Sequence, residues 1–222
     1  QLLVDFHGSI TPKGLEREYP NLVSYEGVRG IENGVDCKPS NSIYLPFIRN
    51  VVGAMDFTPG SMNSLHLENA HSTPELPAGI GTRAYQMALY IVFESGVQML
   101  ADSPSAYRTA PDCTKFISET PVVWDETRVL NAELGESIVF ARSSGDVWFV
   151  GGITDENSRE IEISLDFLPE GKFTLTSFED GVNANRIAKD YKKTVREVNA
   201  SQKLTLKMAR EGGWVGKFEP VK

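Results

Sequence analysis

Ser137-Ile138-Val139-Phe140-Ala141-Arg142 and Asp146-Val147-Trp148-Phe149-Val150, with Ser143-Ser144-Gly145 between them, set the fold of the second half of the chain. Both runs alternate in the two-residue period of half-buried strands, and the Ser-Ser-Gly link reads as a hairpin turn. The pattern continues downstream. Ile161-Glu162-Ile163-Ser164-Leu165 and Phe173-Thr174-Leu175-Thr176 are expected to be joined by the turn Pro169-Glu170-Gly171. Thr194 to Val198, Leu204 to Met208 and Trp214 to Phe218 follow. About eight short strands with no helical pattern between them predict an antiparallel sandwich. Residues 118–222 are assigned to it, and roughly 100 residues suffice for a self-contained fold of that kind. Trp148 and Trp214 are expected in its core, because aromatics on alternating strands fill the space between two sheets.

The first half has a different texture. Leu2-Leu3-Val4-Asp5-Phe6 runs into His7-Gly8, Leu22-Val23-Ser24-Tyr25 into Glu26-Gly27, and Gly53-Ala54-Met55-Asp56-Phe57 into Thr58-Pro59-Gly60. Continuous apolar strands suit a parallel sheet buried on both faces. Polar groups at their C-terminal ends are what an α/β barrel gathers at its catalytic face. Ala84, Met87, Ala88, Ile91 and Val92 recur at helical spacing, and one helix is expected from Thr82 to Asp102, ending before Ser103-Pro104. Three candidate strands cannot close a barrel. The chain also starts inside an apolar strand, where termini are normally polar and frayed, so a piece of a longer protein is expected. The lack of a leader says nothing about its destination. The boundary between the two halves falls near 108–120, giving residues 1–110 to the incomplete barrel. The expected fold class is thus multidomain, α/β plus all-β.

Composition narrows the function. The 222 residues carry 22 Lys and Arg against 30 Asp and Glu, a net charge of −8. So acidic a chain lacks the basic footprint of nucleic-acid binding. No run of about 18 apolar residues offers a membrane span. Two cysteines, Cys37 and Cys113, make neither a zinc site nor a disulfide framework.

The densest cluster of reactive residues is Tyr25-Glu26-Gly27-Val28-Arg29-Gly30-Ile31-Glu32. Two carboxylates just after a strand, among glycines that admit close approach, can bind a hard cation such as calcium or serve as acid and base. They can equally be solvated loop residues. His7 at a neighbouring strand end is open between a structural and a functional role. Asp56 is open between facing a ligand and satisfying the backbone. His66 and His71 lie in a Ser/Asn/Pro-rich loop, form no helical metal pair at their spacing, and are expected to bridge nothing.

Several long motifs carry a resemblance. Asp5-Phe6-His7-Gly8, Pro12-Lys13-Gly14-Leu15-Glu16-Arg17, Tyr19-Pro20-Asn21, the Glu26 to Glu32 segment and Leu45-Pro46-Phe47 are among them. So are Met55 to Gly60, Glu94 to Pro104, Pro121 to Thr127 and Gly145-Asp146-Val147-Trp148. Together they resemble glycoside hydrolase family 97 over nearly the whole chain. The resemblance implies multidomain α-glucosidases and α-galactosidases of glycan-digesting bacteria, built from a β-rich N-terminal domain, a (β/α)8 barrel and a C-terminal β-sandwich. It assigns the C-terminal portion of the barrel and the whole sandwich to this chain. It implies Glu32 as the general acid, Glu26 and Glu32 beside a calcium ion, and His7 against the substrate. Inverting members have a Glu directly after that His, acting as base on water; this chain has Gly8, as retaining, α-galactosidase-like members do. Their nucleophile is an Asp from an earlier barrel strand, outside this chain, and Asp5 matches no nucleophile position. Glu16 and Glu18 depart from the family pattern and put subsite details in doubt.

The expected partner is an α-linked oligosaccharide, and the expected location, from the resemblance, is periplasmic or secreted. An α-glucosidase of the same family is the alternative activity. A rival of another class is a non-catalytic barrel remnant and sandwich for interdomain packing or carbohydrate binding. Because the cut barrel would expose Leu2-Leu3-Val4 and Gly53-Ala54-Met55, the chain is expected to self-associate or to bind the remainder of its parent, and to show no turnover alone.

Overall fold

A computed structural model of the chain describes residues 2–70 and 78–221. Ten strands and six helices are seen among them. Two short strands, β1 (Val4–Phe6) and β2 (Leu22–Tyr25), pair in parallel. A parallel bridge from Tyr25 to Met55 sets a third segment beside β2. The connections are single turns: α1 (Leu15–Glu18), α2 (Pro39–Ser42) and α3 (Leu45–Ile48). One flank of this region is apolar and bare, with Leu2 80%, Leu3 72%, Ile10 70% and Val51 71% exposed. Met55, expected on that surface, is instead fully buried. Its backbone N–H donates to the Glu94 carbonyl (3.0 Å), which seats the segment against the rest of the molecule.

The remainder is organised around α4 (Arg83–Val92). Thr82 caps it by accepting a hydrogen bond from the Tyr85 N–H (3.0 Å). Every residue from Ala84 to Val92 is buried, so this is a core helix covered on all sides, not a half-exposed one. Even Gln86 is satisfied inside, accepting from Gly60 N and donating to the Ile80 carbonyl. The helix ends at Val92, ten residues before the expected Asp102. Phe93 turns extended to stack its ring edge-on to Phe57 at 4.8 Å, and Ser95-Gly96 follows. Two more helices, α5 (Pro104–Arg108) and α6 (Pro111–Glu119), lead to the sheets.

Eight strands follow. Six form one antiparallel sheet in the order β3 (Glu126–Glu133), β4 (Ser137–Ser144), β5 (Val147–Thr154), β10 (Gly213–Pro220), β7 (Lys172–Asp180) and β8 (Tyr191–Asn199). The other two, β6 (Arg159–Ser164) and β9 (Lys203–Met208), pair antiparallel as a small second sheet. The expected hairpin of β6 with β7 is therefore not formed. The segment between them crosses from one sheet to the other and buries Leu165, Phe167 and Leu168 in the gap. β3 carries no alternation to read because nearly all of it is exposed.

The two faces of the large sheet have different covers. Val139, Ala141, Trp148, Val150, Leu175, Trp214 and Phe218 pack with Ile163, Leu204, Leu206 and Met208 of the small sheet. Trp148 and Trp214 are only 5% and 3% exposed, core residues as their pattern implies. On the opposite face Ile138, Phe149, Ile153, Phe178 and Val215 pack under α4 and α6, with Leu89, Ile91 and Phe116. Glycine permits this contact. A Cβ on Gly151 would lie 2.7 Å from Ile91 Cβ, and one on Gly213 would lie 2.5 Å from Tyr85 Cα. The sandwich is thus a three-layered body whose second face is closed by a helix from before residue 110.

A buried ion pair reinforces the junction. His66 is 1% exposed, with Nδ1 2.7 Å from Glu211 Oε2 and Nε2 2.6 Å from the Ala184 carbonyl. Both partners only accept, so both ring nitrogens donate and the ring is an imidazolium. Burial alone would lower its pKa; the Glu211 carboxylate and the Ala184 carbonyl outweigh that and hold it above the ordinary value. The expectation that His66 bridges nothing is therefore corrected. Its spacing to His71 was uninformative because its partner lies 145 residues away; His71 itself falls outside the described residues. Arg210 and Glu68 pair across the same seam. Cys37 and Cys113 are both buried and free.

Candidate functional site

His7, Glu26, Asp56 and Thr58 sit at or near the ends of parallel segments, and Glu32 lies on the turn that follows β2. β1 stops at Phe6 and delivers His7; Gly8 follows at φ +71°. β2 stops at Tyr25 and delivers Glu26. Glu32 opens a 3₁₀ turn over Ile31–Asp36. The third segment delivers Asp56 and Thr58. Strand C-termini on neighbouring parallel strands are the usual place for ligand sites in such sheets.

The side chains converge. Ligand atoms of His7, Glu26 and Glu32 all lie within 4.8 Å of one another, and so do those of Asp5, His7 and Asp56. Glu26 is oriented by the Gly8 N–H, which donates to its Oε2 at 2.6 Å. His7 Nδ1 lies 2.9 Å from Asp56 Oδ2 and 3.8 Å from Glu26 Oε2. The Asp56 hydrogen bond, then the Glu26 charge, raise the His7 pKa. Burial raises that of Asp56, with His7 pulling the other way and Asp5 adding to the rise. With Nδ1 engaged by Asp56, the outer nitrogen of a largely exposed ring is left to face a ligand. Glu32 is exposed, with Thr58 Oγ1 donating to its Oε2. Asp5 is held inside the sheet by the Ser24 hydroxyl, 2.6 Å from its Oδ1.

The cluster fits a hard cation in part. Glu26 and Glu32 offer carboxylate oxygens, the donors calcium takes, though a full shell needs 6–8 of them. His7, a nitrogen donor, suits a hydroxyl-bearing ligand better than that ion.

Reading the sequence misses Arg49. It is 4% exposed, and its guanidinium donates to the carbonyls of Tyr25 (2.9 Å), Glu26 (3.2 Å), Gly53 (3.0 Å) and Ala54 (3.1 Å). One side chain therefore ties the end of β2 to the start of the third segment. Burial lowers its pKa. No local signal marks Arg49 beyond a charged residue in an apolar stretch, Leu45-Pro46-Phe47-Ile48. Gly27, at φ +56°, is required beside it because a side chain there would run into the Ile10 carbonyl.

Comparison with known proteins gives the chain's relatives. A family model described as "Glycosyl-hydrolase 97 C-terminal, oligomerisation" matches residues 123–219. A retaining alpha-galactosidase of Bacteroides thetaiotaomicron is 44% identical over 224 residues, covering 99% of this chain and 34% of the relative. A probable retaining alpha-galactosidase of Streptomyces bingchenggensis is 40% identical over 74% of this chain and 24% of the relative. The chain thus spans about a third or less of the length of these relatives. Among solved structures, a glycoside hydrolase family 97 enzyme from Pseudoalteromonas sp. strain K8, in complex with acarbose, superposes with a TM-score of 0.87 at 38% identity, over 98% of this chain and 35% of that one. A beta-arabinopyranosidase superposes at 0.81 with 27% identity, over 97% and 34%.

Proposed function

The chain belongs to glycoside hydrolase family 97, and from that membership we propose that it is the C-terminal part of a retaining α-glycoside hydrolase acting on α-galactosides. In this reading residues 1–110 are the last portion of a (β/α)8 barrel and 118–222 the domain behind it. The convergence of Glu26, Glu32 and His7 at adjacent strand ends is the observation that carries it.

Glu32, as a carboxylic acid, gives its proton to the glycosidic oxygen while a carboxylate from the rest of the protein attacks the anomeric carbon. The C–O bond breaks and a glycosyl-enzyme forms. Glu32, now ionised, takes a proton from the water that releases the sugar with its configuration retained. Gly8 favours this course over inversion, because position 8 carries no carboxylate to activate water and its backbone N–H is used to orient Glu26. His7, held through Nδ1 on Asp56, turns its outer nitrogen to a sugar hydroxyl. Glu26 and Glu32 would hold calcium, which supplies positive charge for orienting sugar hydroxyls. The bare apolar flank at Leu2, Leu3 and Ile10 is covered by the remainder of the protein or by self-association, since patches of several hundred Å² rarely stay exposed.

Glu32→Gln in the complete protein tests the reading. Hydrolysis of a natural α-galactoside should fall far more than that of an aryl galactoside with an activated leaving group, which needs little protonation. Equal loss on both would sink the assignment.

A further inference from the structure

The third parallel segment contributes more than a wall. Along Met55-Asp56-Phe57-Thr58 the side chains alternate. Met55 and Phe57 are 0% and 2% exposed in the core, while Asp56 and Thr58 turn to the cluster. The segment is fixed at each step. Met55 N donates to the Glu94 carbonyl (3.0 Å), Asp56 N to the Tyr25 carbonyl (2.8 Å), and Phe57 stacks on Phe93. Just beyond, Gly60 N donates to buried Gln86 of α4 (3.0 Å).

Glu32 is placed differently. Its turn is anchored by buried Ile31, but the Glu32 side chain itself is exposed, and within the turn its contact is the Asn33 amide, 3.4 Å from Oε1. Thr58 Oγ1, donating to Oε2, is what ties it to another element. An exposed carboxylate samples several rotamers, and a proton donor must lie within about 2.6–3.2 Å of the atom it serves.

We propose that Thr58 is a positioning residue for Glu32, its hydroxyl fixing Oε2 so that Oε1, which makes only the long Asn33 contact, is presented to the leaving group of the substrate. This rests on Glu32 being the general acid. The rigid core behind Phe57 is the reference against which the exposed carboxylate is aligned.

The test uses the complete protein with Thr58→Val, which keeps the shape, Thr58→Ser, which keeps the hydroxyl, and Glu32→Gln. Each is assayed on a disaccharide α-galactoside and on an activated aryl α-galactoside. Because Glu32 ionises as it gives up its proton, losing a hydrogen bond that strengthens on ionisation predicts a fall of about 10- to 100-fold in kcat for Thr58→Val on the disaccharide. KM should stay nearly constant, the loss on the aryl substrate should be several-fold smaller, and Thr58→Ser should restore most of the rate. If Thr58→Val does not fold, Thr58→Ala against Thr58→Ser gives the same contrast. Equal losses on both substrates, or none, with Glu32→Gln still discriminating between them, would overturn the role of Thr58 and leave Glu32 standing. A Glu32→Gln variant that does not discriminate would remove Glu32 as the acid and the proposal with it.

Discussion

The two halves of the molecule bear opposite relations between chemistry and support. The strands that carry His7 and Glu26 are three and four residues long, and one flank of their region is open to solvent. The six-stranded sheet has apolar cover on both faces and no residue that the proposed reaction uses. Stability and reactivity are divided between them, and α4 and the His66–Glu211 pair join one to the other, while Arg49 ties the site strands to each other. Three short parallel strands cannot bury enough surface to hold a precise constellation of side chains. They borrow rigidity from a body that begins at residue 82.

The largest effect should follow from cutting where the sequence places the boundary. Segment 118–222 produced alone bares Ile138, Phe149, Ile153, Phe178 and Val215, and is expected to bind a hydrophobic dye and aggregate. Segment 78–222 keeps the α4 and α6 cover of that face but bares the side of α4 that packs on Met55, Phe57 and Met62 and leaves Glu211 without His66. It should show a cooperative transition, yet one at lower temperature than the 222-residue chain. A cooperative, soluble 118–222 would show that the small sheet alone suffices. Next in size, His66→Ala leaves Glu211 buried without its cation and should cost about 3–5 kcal/mol in denaturant unfolding. His66 should also impose a pH dependence. Its pKa is raised in the folded state, so its contribution is complete below about 6.5 and is lost as the pH climbs through the folded value. Truncating Ile91→Ala, in the α4–sheet contact, should cost about 2–5 kcal/mol.

Asp180 tests the sheet body with the opposite sign. Burial pushes its carboxyl up to about 7, although Ala209 N and Gly213 N donate to it at 2.8 and 3.1 Å. Between about 4 and 7 the folded state keeps a proton that the unfolded chain has released, so stability falls as pH rises through that window. Asp180→Asn should flatten the slope there, as read from unfolding midpoints at a series of pH values; an unchanged slope would mean that the carboxyl is ionised throughout. Smallest of all, Lys203→Met removes an exposed pair with Glu162 (2.6 Å) on the outer face of the small sheet. No measurable change in the midpoint is expected there.

How much of this was legible depended on the distance over which the information acts. The apolar runs of β4 and β5 and the alternation of β9 are local and were readable. β9 has one buried face, whereas β4 and β5 meet a core on both, so they are buried on both faces and not the half-buried strands their pattern suggests. β3 was not readable, since it has no buried face to mark it. The end of α4 was misplaced because Val97, Met99 and Leu100 prolong the apolar pattern, whereas the stop comes from Phe93 meeting Phe57, 36 residues earlier in the chain. In the site, Glu26 and Glu32 stood out as carboxylates just after a strand. Their supports did not, because the hydrogen bond from Thr58 to Glu32 spans 26 residues and that of His7 to Asp56 spans 49. Residue type alone cannot announce such pairings; the fold creates them.

Native-state amide hydrogen exchange on the 222-residue chain tests the division most directly. If α4 belongs to the sheet body, its amides from Met87 to Val92 should be protected to the same free energy as those of β5 and β10. Those of β1 and β2 should exchange orders of magnitude faster, through local opening. An α4 that exchanges together with β1 and β2, while β5 and β10 remain protected, would contradict the division by placing the helix with the strands that carry the site.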